Sequence, residues 1–229
     1  SGGRELTTEG ATTHGGAGEA LSAHPARAHP ADSDDPLRAF LQSVLVVGTL
    51  CNNASVGEEG ETGDPLEIAL LRVASEADIR RSELTADHPE RREVAFDPQT
   101  KMMATFHGAQ DEDLFVAVKG APEQVLEVCS LSDREKQDHT AKSEELASGG
   151  LRVLAFACKR AASVDEEPYE ELTFLGMAGL LDPPRKEVAE AIAGCRRAGI
   201  STVMVTGDHA ATAENVARAV GLIDQDDHS

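Results

Sequence analysis

Two apolar runs, Lys101-Met-Met-Ala-Thr-Phe-His107 and Leu114-Phe-Val-Ala-Val-Lys119, flank the polar segment Gly108-Ala-Gln-Asp-Glu-Asp113. Runs of this length around a glycine-led connection predict an antiparallel hairpin. Glu93-Val-Ala-Phe96 precedes it across the turn Asp97-Pro-Gln-Thr100 and reads as a further strand. Gly120-Ala-Pro122 ends the hairpin and opens a helix, with Pro122 near its first turn and Val125, Leu126 and Val128 facing inward. Upstream, Asp35-Pro36 marks a helix start, and Leu37, Phe40, Leu41, Val44 and Leu45 recur at helical spacing as one buried stripe up to Cys51. Gly57 to Gly63 is a polar, solvated loop. A second amphipathic helix follows Asp64-Pro65, with Leu66, Ala69, Leu70 and Val73 on its inner face. Residues 131–149 form a charged helix ending at Gly149-Gly150, and Leu151 to Ala157 is another strand.

After Pro168 the pattern changes. Leu172 to Leu181 is a strongly apolar strand, Lys186 to Ala198 a helix closed by Gly199, Ile200 to Val205 a second buried strand, and Ala210 to Val220 a helix ending at Gly221. Apolar strands alternating with helices predict a parallel α/β sheet. The expected class is therefore α/β in part and α+β in part. The expected organisation is a leader together with a remnant of another domain over residues 1–10, a flexible Ala-, Gly-, His- and Pro-rich linker over 11–35, a mixed unit over 36–168, and an α/β fragment over 169–229. His14, His24 and His29 fall in the linker, which offers no framework for a metal.

Composition narrows the functional classes. The 229 residues carry 21 Lys+Arg against 41 Asp+Glu, a formal net charge of −20, and only 3% aromatics with no Trp. Nucleic acid is a poor partner for such a chain, because phosphate tracking needs clustered cations and base stacking needs aromatic platforms. Cys51, Cys129, Cys158 and Cys195 are widely spaced, so neither a disulfide framework nor a zinc site is expected, and reduced, buried thiols are. The apolar stretch Val44 to Cys51 is far shorter than the roughly 20 residues of a membrane-spanning helix. With no signal peptide in view, the expectation is a soluble, intracellular polypeptide.

Three short segments carry chemistry. Val205-Thr-Gly-Asp208 lies between the last expected strand and its helix, where α/β sheets place ligands. Thr206 offers a hydroxyl, Gly207 permits close approach, and Asp208 suits Mg²⁺ or phosphate chemistry, or simply caps the helix. In Leu181-Asp-Pro-Pro-Arg185, Asp182 is a helix cap and Arg185 a possible phosphate contact. In Lys119-Gly-Ala-Pro-Glu123, Gly120 would let a flat ligand approach with the Lys119 ammonium at its edge, although a lysine ending a strand is ordinarily just solvated.

Gly63-Asp-Pro-Leu-Glu67, Phe96-Asp-Pro-Gln-Thr-Lys-Met-Met103, Lys119-Gly-Ala-Pro-Glu123, Leu151-Arg152, Asp182-Pro-Pro-Arg185 and Thr206-Gly-Asp208 stand in this order along the chain. Together they resemble the P-type cation-transporting ATPases, of the calcium, sodium and proton-pump branch, from about residue 38 to 223. The resemblance implies a nucleotide-binding domain with an antiparallel sheet flanked by helices, followed by part of a phosphorylation domain of the haloacid dehalogenase type. It implies ATP, with its Mg²⁺, as ligand. Phe96 would stack on adenine, Lys119 would lie at the back of the pocket, and Glu67 would stand near the adenine amino group. Arg152 would reach toward the phosphates, and Lys101 and Met103 would line the cleft. Pro98 stands where many relatives carry a basic residue.

In that family an aspartate in a DKTGT motif accepts the γ-phosphate. The motif is absent from this sequence; Leu6-Thr7 resembles the pair that follows it, which puts Ser1 at the nucleophile position. The later lysine and the GDGxND motif would lie beyond Gly221. The resemblance thus implies a nucleotide-binding piece that does not itself turn over ATP efficiently. Its partners would be the transmembrane, actuator and remaining phosphorylation parts of a pump, on the cytoplasmic side of a membrane. Two other readings stay open. One is a stand-alone, non-catalytic nucleotide-binding protein. The other is a phosphatase of the haloacid dehalogenase type, whose nearest nucleophile candidates, Asp32-Ser-Asp34 and Asp111-Glu-Asp113, fall in the linker and the hairpin turn.

Overall fold

A helix that starts on proline and becomes largely apolar in its second half, α1 (Pro36–Leu50), is the first element among the described residues. The computed structural model describes residues 36–57, 60–108, 113–180, 186–206 and 210–223. After α1 come the short strands β1 (Ser55–Gly57) and β2 (Gly60–Thr62), the helices α2 (Pro65–Glu76) and α3 (Arg81–Asp87), and three strands, β3 (Glu90–Asp97), β4 (Met102–His107) and β5 (Leu114–Gly120). Helices α4 (Pro122–Val128) and α5 (Asp133–Ser148) lead to β6 (Arg152–Ala161) and β7 (Thr173–Leu180), and helices α6 (Lys186–Arg197) and α7 (Ala210–Ala219) follow.

Strands β3 to β7 form one antiparallel sheet in sequence order. Every residue of β4 and β5 is buried, because both faces of the sheet are covered. Met103, Phe115, Ala117, Phe156 and Cys158 face α1 and α2, where Val46, Val47, Leu50 and Leu70 complete the layer. Met102, Ala104, Phe106, Val116 and Val118 face the other way, onto Val125 of α4 and onto Leu172. Alternating side chains on adjacent strands build both layers at once.

Local signals explain the helix ends. Asp64 caps α2, its Oδ1 accepting the Leu66 N–H at 2.8 Å, with Pro65 in the first turn. Ser132 and Glu135 form a reciprocal capping box at the start of α5. Helix α1 departs from the single stripe expected of it: from Ser43 to Asn52 all sides are buried, because it lies between the sheet and α2. Thr49 is accommodated there by donating to the Leu45 carbonyl at 2.7 Å. The Gly57–Gly63 segment, expected as a loop, closes as an exposed antiparallel hairpin of β1 and β2.

Two expectations for the C-terminal part are corrected. Strand β7 does exist, but it pairs antiparallel with β6, from Cys158↔Thr173 to Arg152↔Leu180. The connection of eleven residues between them suits antiparallel return, whereas parallel strands need a longer crossover. The sheet therefore runs past residue 168. Residues 200–205 form no strand, and Ile200, Val203 and Val205 are 59, 81 and 92% exposed. A strand exists only with a hydrogen-bonding neighbour, and none lies beside this segment among the described residues. Accordingly, no two named strands pair in parallel among the described residues.

The cysteines are free thiols; Cys51, Cys129 and Cys158 are buried and Cys195 is half-buried. His107, at the end of β4, has no exposed surface, and burial pushes it down to about pH 4. Its Nδ1 lies 3.3 Å from the His88 carbonyl, and its Nε2 has no partner.

Candidate functional site

Antiparallel order brings five strand ends to one edge of the sheet. These are the C-termini of β3, β5 and β7 and the N-termini of β4 and β6, so Phe96, Lys101, Met103, Lys119, Gly120 and Arg152 all lie at or near that edge. A bulge in β3 refines the placement. Val94 pairs with Ala104 and Asp97 with Met102, which leaves Ala95 and Phe96 together opposite Met103. Met103 pairs with Lys119, and Lys119 with Phe156. The result is a transverse row, Phe96–Met103–Lys119–Phe156, with neighbouring strands about 4.8 Å apart. Its outer member is open, Phe96 being 59% exposed, while Met103, Lys119 and Phe156 are buried.

A buried ammonium needs a counter-charge. Glu67, in the first turn of α2, supplies it: the Lys119 Nζ is bonded to Glu67 Oε1, and the two side chains are only 8 and 15% exposed. The second carboxylate oxygen, Oε2, accepts the Asn53 N–H at 3.2 Å. The Asn53 side chain donates to Glu93 Oε1 on β3 at 2.9 Å. Cys51 sits behind this pair and donates to the Met103 carbonyl, with Sγ at 3.4 Å. Burial pushes its thiol up to about 11 and the Glu67 charge adds to this, against the opposing charge of Lys119. It is a packing group rather than a nucleophile.

Toward the rim, Lys101 ends the turn from Asp97 in a left-handed conformation, φ 53°. Its Nζ donates to Glu123 Oε1 at 2.9 Å, and both side chains are about half exposed. Burial acts to raise the Glu123 carboxyl, but the Lys101 hydrogen bond and charge outweigh it and hold it low. Gly120 serves the sheet itself: a Cβ there would lie 2.5 Å from the Lys101 carbonyl oxygen and 2.8 Å from Met102 Cγ. The direction a side chain at Gly120 would take is thus filled by the neighbouring strand. Arg152 opens β6 with its side chain exposed and without a side-chain partner among the described residues.

Thr206 is exposed. Asp182, Arg185, Gly207 and Asp208 lie outside the described residues, as do Ser1, Leu6, Thr7, the three linker histidines, Asp32 to Asp34, Asp111 and Glu112. Among the described residues no three His, Cys, Asp or Glu side chains are grouped to hold a metal ion, and no helix is long and apolar enough to cross a membrane. Asn52, Asn53 and Glu93 were not legible as site residues. Their contacts join parts of the chain 14 to 40 residues apart, and the only local signal is a pair of asparagines at a helix end.

The profile of the family described as P-type ATPase, cytoplasmic domain N, matches residues 40–187. A calcium-transporting ATPase of Bacillus cereus is 37% identical over 203 residues, covering 83% of this chain and 22% of that protein. A calcium-transporting ATPase of Bacillus subtilis is 35% identical over 201 residues, 80% of this chain and 23% of its own length. A sodium/potassium exporting P-type ATPase of Schizosaccharomyces pombe is 36% identical over 209 residues, 83% and 20% respectively. The chain spans about a fifth of the length of these relatives.

Proposed function

The chain belongs to the P-type cation-transporting ATPases, and on that premise we propose that the sheet edge from Phe96 to Arg152 is an ATP site. The observation that carries this reading is the transverse row, an exposed aromatic ring leading inward to a buried and mutually neutralised Lys119–Glu67 pair. A net-neutral, half-apolar edge suits a purine better than a phosphate. The Phe96 face stacks on the base, Met103 packs beneath it in the sheet, and Glu67 accepts from the exocyclic amine. The polyphosphate then points outward to Lys101 and Arg152, where the guanidinium fork suits phosphate oxygens. Mg²⁺ accompanies the triphosphate and offsets its charge.

The unit carrying this site is the nucleotide-binding part of a pump on the cytoplasmic side of a membrane, and β7 is counted with it because of its pairing. The remainder, with Asp182, Arg185, Thr206, Gly207 and Asp208, is a partial phosphorylation part. In the whole pump the γ-phosphate would pass to an aspartate that this sequence does not contain, and the chain by itself binds nucleotide without efficient turnover. The relatives' names include both calcium and sodium/potassium transport, so the ion is not assigned.

The test is calorimetric titration with ATP, with and without Mg²⁺, on the wild-type chain and on Phe96→Ala. Saturable binding that weakens about tenfold or more in the variant supports the site. Equal affinity in both proteins places the nucleotide elsewhere, and no heat at millimolar ATP refutes the reading.

A further inference from the structure

One contact to a carboxylate fixes a distance; a second fixes the plane. Lys119 provides the first contact to Glu67, and the Asn53 N–H provides the second, at 3.2 Å. What holds that N–H in place is a small amide framework. Asn52 has no exposed surface, and its Nδ2 donates to the carbonyls of Gly48 and Glu67, both at 3.0 Å. Its Oδ1 accepts the Ala54 N–H at 2.8 Å. A single buried amide thus ties the end of α1, the turn after it and the first turn of α2. Asn53 adds a tie outward to Glu93 on β3.

We propose that Asn52 and Asn53 are positioning residues that hold the Glu67 carboxylate at the angle needed to recognise the exocyclic amine of a bound purine. The base selectivity of the site then depends on two side chains that touch no ligand. The physical ground is orientation. A carboxylate has about four acceptor positions, and two are already engaged here, so the direction of the rest is set by whatever fixes the group's plane. Lys119 alone leaves that plane free to rotate.

This inference rests on the nucleotide reading above, and its test separates the two. ATP and inosine triphosphate are titrated in parallel, since the latter carries a carbonyl where ATP has the amine. Wild type is expected to prefer ATP. Asn53→Ala, an exposed change that cuts the tie to Glu93, is expected to lower the ATP-to-inosine-triphosphate affinity ratio about threefold. Asn52→Ala should lower it about tenfold, and in both variants affinity for inosine triphosphate stays within about twofold of wild type. A merely structural role would weaken both nucleotides together. That result, or an unmoved ratio, overturns the proposal. If Asn52→Ala fails to give a cooperative melt, the ratio in Asn53→Ala decides alone. If wild type binds neither nucleotide, the nucleotide reading itself has failed and takes this inference with it; if it binds both equally while Phe96→Ala still weakens ATP, the nucleotide reading stands and only the recognition of the amine through Glu67 is overturned.

Discussion

The ammonium of Lys119 closes on Oε1 of Glu67 across 52 residues of sequence, and the pair lies almost wholly out of water. Strand β5 and helix α2 are thereby joined at the point where a ligand of the sheet edge would reach its innermost position. The pair cannot be dissected one residue at a time without leaving a charge behind.

Lys119→Met is therefore expected to cost about 3 kcal/mol of folding stability, because Glu67 is left unpaired in a dry site. The double variant Lys119→Met/Glu67→Gln should recover much of that loss. Urea unfolding of both proteins measures the difference, and equal stabilities would show that the pair is better hydrated than its burial implies.

The stability of the domain should fall between neutral pH and about pH 4, in part through His107. Its folded pKa is lowered from 6.5 to about 4 by burial, reinforced by the charges of Arg81 and His88 and opposed by the hydrogen bond to the His88 carbonyl. Between those values the unfolded chain binds a proton that the folded chain refuses, so stability is full above about 6.5 and declines as pH falls. The complete effect is about 3 kcal/mol. His107→Phe should flatten the pH dependence measured by urea midpoints at pH 7 and 4.5.

Gly120→Ala should destabilise the protein by about 1–3 kcal/mol, as overpacking does. The added methyl meets the Lys101 carbonyl oxygen at 2.5 Å, and that carbonyl also accepts the Ala121 N–H at 3.0 Å, so it is not free to withdraw. Thermal melting reads the change, and an unaltered midpoint would mean that β4 and β5 can separate at this edge.

Two phenylalanines of adjacent strands should behave oppositely. Phe106→Ala removes a fully buried ring beneath the Arg92 guanidinium, 4.9 Å away, and should cost about 3–5 kcal/mol. Phe96→Ala removes a ring that is 59% exposed and should shift stability by no more than about 0.5 kcal/mol. Comparable melting points for the two variants would contradict the burial pattern.

The meander was readable because β4 and β5 are continuous apolar runs separated by polar, glycine-containing connections. Pairing direction was less so. An apolar run such as Phe174-Leu-Gly-Met-Ala-Gly-Leu180 reads the same in a parallel sheet as in an antiparallel sheet buried on both faces. Ile200 to Val205 has strand composition, yet nothing in composition tells whether a neighbour is present, and here the residues are exposed. At the candidate site, Phe96, Lys119 and Glu67 were each marked by local motifs, whereas the geometry relating them was not. Strict alternation from Val94 would send Phe96 to the face of α4; the bulge that places it opposite Met103 leaves no mark in the residues themselves. The ties of Asn52 to Glu67 and of Asn53 to Glu93 span 15 and 40 residues, and such contacts are invisible to any periodicity.

If the edge binds a nucleotide as proposed, the mutual cancellation of Lys119 and Glu67 would also shape how that polyanion arrives. In open water at this edge it meets Arg152 and Lys101, and Lys101 already shares its charge with Glu123. The chain as a whole carries a formal charge of −20, so the far field repels what the near field holds. At 0.1 M salt that repulsion is damped within about 10 Å, which shortens the distance over which an incoming nucleotide is slowed. On the proposed nucleotide reading, moderate ionic strength would hasten encounter while the dry inner contacts, beyond the reach of the ion atmosphere, would keep their grip.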